Sequence, residues 1–444
     1  MAATLAAPPA PDPSPPLDQV ERVLQEVLAG LEPDGAGVQR AGPGRPRILP
    51  ALALWAGLLV CVLRGATSQV AVWRLLTQQG LWWYPRFPVT DRAVYARLAG
   101  AGTARLEALF AQVSTLLAAR LAPYADATLA PFASEVVAFD ATTLDGVART
   151  LPALRGAPPG DARLLPGKLA GSFDLRRQQW RHVEHHPDPH QNDKVAARGL
   201  LDRLAAGALI LADLGYFGFA WFDDLTDRHC WWVSRLRKWT SYTVVHVFYQ
   251  VGATFDGLVW LGAHRADRAK HAVRLVRFRV GTITFTYLTN VTDPRQLPLR
   301  EIARLYARRW DIELAFKLLK RELKLHLLWS AQDAVVLQQV WAALTIAQIL
   351  QALRLEVAGR AGVDPFDVSL PLLVAYLPQF ARDGRDPIDA FIEHGWTARF
   401  IRPSRRTRVR APTIPPQALA PAPAALALVR TPRYAHRRCS DDRP

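Results

Sequence analysis

The sequence is short of cysteine, of acid and of long apolar runs. Its three cysteines, Cys61, Cys230 and Cys439, lie far apart with no C-x-x-C pair. That excludes a disulfide framework and a cysteine-built zinc site, and it fits a reducing compartment. Against 55 Lys and Arg there are only 39 Asp and Glu, a formal charge of +16. Such a deficit favours an anionic partner, and nucleic acid is the first candidate. The start, MAATLAAPPAPDPSPP, has neither a basic n-region nor an apolar h-region, so no signal peptide is expected. The apolar run ILPALALWAGLLVCVL (48–63) falls short of the roughly 20 residues that span a bilayer, and Pro50 shortens it further. A buried core helix is expected there, and no membrane partner.

Half of the 444 residues are apolar, enough for a large core and about two to four domains. Residues 1–16 are Pro/Ala-rich and expected to be disordered. Residues 17–125 read as helical and as a DNA-binding domain, with an amphipathic helix at 17–31 and a GAG/GPGRPR loop after it. TSQVAVWRLLTQQG (67–80) and VTDRAVYARLAGAG (89–102) are two short helices joined by a turn. The second opens at Thr90 or Asp91. This suits a helix-turn-helix, with Arg92 and Arg97 placed for DNA, although the pattern alone favours an ordinary helical hairpin.

From 130 the character changes to strands alternating with helices. SEVVAFDATTLD (134–145), a hairpin or meander within 166–186, ALILADLGYFGF (208–219) and HCWWVSRLRKW (229–239) read as strands, with a helix at 194–207. Residues 238–291 are rich in Val, Thr, Phe and Tyr and form a β-rich insertion. The core, 130–237 and 292–360, resumes with a helix from about Pro298 and ends in the apolar helix 335–359. Residues 361–410 form a C-terminal helical region, and 411–444 is expected to be a disordered tail. The Arg cluster at its start is placed for phosphate.

The helix containing RLYARRWDIELAFKLLKREL (304–323) holds the sharpest pattern. At about 100° per residue, Tyr306, Arg309, Glu313 and Lys320 share an arc of about 60°. Asp311 falls near the opposite side, and most of the remaining surface is apolar. A carboxylate on such a helix needs a cation or a metal. The plain alternative is an i,i+4 ion pair between Arg309 and Glu313. Asp140 and Asp213 each follow an apolar strand run. Three carboxylates on two strands and one helix suit a pair of Mg²⁺ ions, which take hard oxygen ligands and serve in-line phosphoryl displacement.

These residues resemble the DDE triad of ribonuclease H-like transposases. Tyr306-x2-Arg309-x3-Glu313-x6-Lys320 is similar to the YREK signature of the IS4-type (Tn5-like) insertion-sequence transposases. Asp140-Ala-Thr, Asp213-Leu-Gly-Tyr and Tyr-Ala-Arg-Arg-Trp-Asp-Ile-Glu match the words around the three acids. The resemblance covers roughly 130–355. It implies an α/β ribonuclease H-like core with a β-rich insertion, a bacterial cytoplasmic enzyme, and two Mg²⁺ (or Mn²⁺) ions on Asp140, Asp213 and Glu313. It implies that Tyr306, Arg309 and Lys320 contact phosphates near the cut. It also implies strand cleavage and transfer at transposon ends and at target DNA, by a dimer pairing two ends. The competing reading is an inert or domesticated DNA-binding relative.

Other features weigh less. RHVEHHPDPHQND (181–193) gathers His182, His185, His186 and His190, but it lacks zincin spacing and reads as a solvated loop. Among 14 tryptophans, Trp82-Trp83 and Trp231-Trp232 read as core or turn packing, while Trp239 and Trp260 are candidates for stacking on a base. Arg235, Arg237 and Lys238 are placed to line a DNA channel, and Thr142 to pack or position Asp140.

Overall fold

The computed structural model describes residues 48–144, 167–262, 267–325, 328–330, 332–382, 385–404, 409–422 and 425–434, with isolated positions at 21–28 and 156. The segment 1–16, most of 17–31, the glycine-rich loop after it and residues 405–408 of the basic cluster lie outside the described residues. The chain divides into two units, Met1–Leu117 with Glu322–Arg402, and Ala118–Arg321 with Pro403–Pro444. The expected core boundary at 360 is therefore displaced: residues 322–360 group with the N-terminal helices.

The first unit is helical. Ala51–Leu63 is buried without interruption from Ala53 to Val62, as its sixteen-residue apolar run requires. The helix Asp333–Ala361 is long and apolar enough to cross a membrane, yet 78% of its apolar window is buried. It is apolar on all sides because it is a core helix. Its Gln338 donates to Leu98 O at 2.8 Å and its Gln348 to Ser114 Oγ at 2.7 Å, tying it to its neighbours. Gln69–Arg74 runs into a π turn, Leu75–Gln79, and Asp91–Gly100 opens on Thr90, whose hydroxyl accepts from Ala93 N. The connection 80–90 is longer than a helix-turn-helix turn. Rings fill it: Trp82, Trp83, Tyr84 and Phe87 follow one another at 5.6, 5.5 and 6.5 Å.

The second unit is built on one nine-stranded sheet in the order β3-β2-β1-β4-β5-β9-β8-β7-β6. The strands are β1 Val136–Thr143, β2 Lys168–Asp174, β3 Gln179–His186, β4 Leu209–Ala212, β5 Trp231–Arg235, β6 Tyr242–Val251, β7 Thr254–Leu261, β8 Val273–Val280 and β9 Ile283–Thr289. β1, β2 and β3 are antiparallel, while β1, β4 and β5 are parallel. The β-rich insertion is no separate body. Its last strand β9 pairs antiparallel with β5, so β6–β9 extend the same sheet. Where they pair, the parallel strands are apolar and buried (Val136–Phe139, Leu209–Ala212 and Trp232–Val233), as strands covered on both faces must be. One face packs Phe139, Ile210 and Ala212 against Trp221, Phe222 and Leu225 of the helix Phe219–Asp227. The segment 194–207, expected as one helix, is two short helices, Asp193–Ala196 and Arg198–Leu201.

The helix 304–323 is in pieces: Leu299–Arg308, a turn at Arg309–Trp310, Asp311–Lys317, and a π segment Leu318–Glu322. A 3.6-residue wheel therefore loses its phase beyond Arg308. Trp310, assigned to the apolar surface, stands 52% exposed in the turn. The tail also departs from expectation. Ala420 N donates to Phe248 O, while Arg268 and Arg433 exchange backbone hydrogen bonds at 2.5 and 3.0 Å. Arg430 lies over the Trp260 ring at 4.6 Å and donates to Leu261 O. Proline lacks the N–H that a strand or helix needs, and the tail is held instead by scattered backbone bonds and by Arg430.

Candidate active site and nucleic-acid interface

Strand register brings the first two acids together. β1 and β4 run parallel, with Phe139 paired to Ala212. The next residue along each segment is Asp140, where β1 leaves its pairing with β4, and Asp213, just past the carboxyl end of β4. This is where open α/β sheets place their ligands. Asp213 accepts from Gly215 N at 2.7 Å and so caps the one-turn helix Leu214–Tyr216. Asp140 accepts from Ala141 N at 2.8 Å.

The third acid comes from above. Asp311–Lys317 packs over β1 and β2, with Phe316 against Trp180 at 4.8 Å. Glu313, about one-third exposed, forms an ion pair with Arg309 at 2.8 Å, so the plain i,i+4 alternative is realised. The three carboxylates still act on one another. Burial pushes the Asp140 carboxyl up to about 7, and the charges of Asp213 and Glu313 push the same way. The Ala141 N–H and Arg309 oppose the shift. Lys320 donates to Thr142 Oγ1 at 2.5 Å. Thr142 lies two residues beyond Asp140, on the same face of β1, which brings the YREK lysine to the acid.

The other acid of the helix is structural. Asp311, 2% exposed, accepts from Arg308 Nε at 2.7 Å and from Gln178 Nε2 at 2.9 Å.

Oxygen donors of this kind suit Mg²⁺ or Mn²⁺. Tyr216 Oη, buried in the field of Asp193, Asp140 and Asp213, and Arg309 Nε have no hydrogen-bond partner among the described residues. The site thus holds polar atoms left over for a ligand. Among the described residues, no three His, Cys, Asp or Glu side chains are gathered to hold an ion. Asp140, Asp213 and Glu313 are oxygen donors of the right kind, and Glu313 as it stands is paired with Arg309.

Basic and aromatic groups flank the acids. Arg235, at the end of β5, lies over the Tyr306 ring at 5.3 Å, and Tyr287, its partner on β9, packs at a tilt against Tyr306 with ring centroids 5.1 Å apart. Arg237 donates to Leu214 O at 2.8 Å, holding the turn after Asp213, and Lys238 is exposed beside it. Arg235, Tyr287, Tyr306, Trp310, Phe278 and Arg410 line a cavity of about 520 Å³. Tyr306 itself is 5% exposed. Trp239 is 87% exposed, whereas Trp260 is covered by Arg430. In the helical unit Arg92 is exposed, and Arg97 donates to Leu49 O at 2.9 Å, a local fold contact.

Two expectations change. His182, His185 and His186 lie on β3 of the hairpin expected over 166–186 and not in a solvated loop, and burial beside Arg203 and Arg181 pushes His182 down to about 4. Asp193, close to those histidines in the chain, was not among the expected acids. Its Oδ2 and Asp213 Oδ1 would stand 3.0 and 2.9 Å from a Cβ on Gly215, so only glycine fits between them. Asp193 is paired with the buried Lys168 at 2.8 Å. Nothing in its spacing marked it.

Residues 131–348 match the family model described as a transposase DDE domain. That stretch, just under half of the chain, is what resembles a transposase DDE domain. It is 27% identical over 170 residues to y4zB of Sinorhizobium fredii, which bears a transposase name, covering 37% of this chain and 47% of that one. It is 28% identical over 167 residues to transposase InsG of insertion sequence element IS4 in Escherichia coli, covering 34% and 36%. The chain thus spans less than half the length of either relative in these matches. A cryo-EM structure of piggyBac transposase in a synaptic complex with hairpin DNA aligns with TM-score 0.41 and 8% identity, over 90% of this chain and 85% of that one. A likeness that low carries no argument.

Proposed function

We propose that this protein is a transposase that cuts DNA at the ends of an insertion sequence and joins them elsewhere. The observation that supports the reading is the register that sets Asp140 beside Asp213 where β1 and β4 part, with the charge of Glu313 acting on Asp140 from the helix above. The strand order β3-β2-β1-β4-β5, antiparallel then parallel, supports a ribonuclease H-like core with β6–β9 as its insertion.

In this reading Asp140, Asp213 and Glu313 hold two divalent cations, Mg²⁺ or Mn²⁺. When bound, such ions supply Lewis-acid stabilisation of the attacking and leaving oxygens. The protein's own groups do the rest. Asp140, raised to about 7, gives up its proton readily once positive charge arrives. Arg309 turns from Glu313 to a phosphate, which its fork fits in two-point fashion. Lys320, held at Thr142, lies on the face of β1 that carries Asp140, and Arg235 and Arg237 flank the strand ends. The aromatic cavity beside Tyr306 offers faces on which an unpaired base stacks. Arg92, Arg97, Lys238 and the Arg cluster after 401 add phosphate contacts, and two chains pair two ends in the bacterial cytoplasm.

A plasmid excision assay in cells tests this. Wild-type protein is expected to release an element flanked by its inverted repeats, and Asp140→Asn or Glu313→Gln to release none. Excision by both variants sinks the metal-site reading. DNA binding without excision by the wild type favours the inert relative.

A further inference from the structure

The helix carrying Glu313 breaks where its sequence gives no reason to break. LREIARLYARRWDIELAFK (299–317) holds neither proline nor glycine, the usual causes of a sharp kink. Yet Leu299–Arg308 stops, Arg309 N bonds to Tyr306 O at 3.2 Å, and a second helix begins at Asp311. A buried polar network occupies this joint. Asp311 Oδ2 accepts from Arg308 Nε across the break and from Gln178 Nε2 of the β2–β3 turn. Gln178 also donates to Leu175 O at 3.0 Å. Asp311, Gln178 and Arg308 are 2%, 1% and 6% exposed.

Stability does not account for this arrangement. Buried ion pairs contribute little beyond well-packed apolar residues of the same volume. Gln178 moreover sits at φ +55°, a conformation that costs a non-glycine residue energy. What the network does provide is a tie between the two helices and the β2–β3 turn. Glu313 lies two residues beyond Asp311, on the piece of helix whose start the network fixes.

We propose that Arg308, Asp311 and Gln178 are positioning residues that set the helix joint and so present Glu313 to Asp140 and Asp213. This rests on the reading of the three carboxylates as the reaction centre. Asp311 itself touches no reacting atom.

The test is the double variant Arg308→Met/Asp311→Leu, which removes both charges together and orphans neither. Its thermal midpoint and its affinity for a short duplex are expected to match the wild type. Its single-turnover nicking rate should fall about tenfold or more, since small misplacements of a reacting group are costly. The Mn²⁺ concentration that half-maximally shifts the melting of the DNA-free protein should rise severalfold. Asp311→Asn, which keeps an acceptor for both donors, should restore most of the rate. Unchanged nicking and an unchanged Mn²⁺ half-point in the folded double variant overturn the proposal. If the wild type never nicks, the carboxylate reading fails, while the Mn²⁺ half-point still decides the positioning claim. If the double variant does not fold, Gln178→Leu carries the same measurements with the ion pair intact.

Discussion

Two arginine–carboxylate pairs, one within the β6–β9 half of the sheet and one on the helix over its β1–β5 half, are built for opposite ends. In the β6–β9 half, Arg274 grips both oxygens of Asp256 at 2.7 and 2.6 Å, and neither side chain is more than 1% exposed. A third bond from Arg274 reaches Leu297 O at 2.6 Å. In the β1–β5 half, Arg309 holds Glu313 through one contact at 2.8 Å, and the glutamate is 32% exposed. The first pair is sealed, so nothing can replace either partner. The second has an acid open to solvent and an arginine with a spare Nε. A cation can take the acid and a phosphate the arginine. The sealed pair holds the fold, and the open pair is available for chemistry.

Each prediction presses on that contrast. The largest effect is expected on catalysis: Glu313→Gln or Asp213→Asn should lower DNA nicking by about 10³-fold or more with the melting curve little changed. Asp256→Ala should do the reverse. It leaves Arg274 buried and unpaired and should cost about 3–5 kcal/mol of stability by urea denaturation.

Third comes pH. Folding raises the Asp140 carboxyl from 3.8 to about 7, so the folded state binds the extra proton between those values. Stability of the metal-free protein should therefore fall as pH rises through that window. Asp140→Asn should remove that slope, and added Mn²⁺ should flatten it, both read from melting curves at pH 4–8. The smallest effects are expected in the helical unit. Arg92→Ala should reduce the salt slope of DNA binding by about one. Arg97→Ala should cost about 1 kcal/mol of stability through the lost bond to Leu49 O.

Much of the site was legible because its signals are local. Asp140 and Asp213 each terminate an apolar run, and strand burial alone makes such acids conspicuous. The spacing from Tyr306 to Lys320 pointed to Glu313 over Asp311, and Asp311 is buried against Arg308 while Glu313 stays about one-third exposed. The ion pair of Glu313 with Arg309 was foreseen as the lesser alternative. Other features were hidden because they depend on distant partners. The helix break at Arg309–Trp310 is tied to Gln178, which no local pattern reveals. The β-rich insertion joins the core sheet through pairing of β9 with β5, separated by some fifty residues of chain. The tail looked featureless because its hydrogen bonds come from backbone and arginines, not from an apolar stripe.

The most direct measurement is nicking of a duplex bearing the element's terminal repeat, with Mg²⁺ supplied and DNA affinity recorded in parallel. The wild type is predicted to nick at the repeat boundary, while Asp140→Asn, Asp213→Asn and Glu313→Gln bind the duplex equally and leave it intact. Nicking that persists in any of the three contradicts the account.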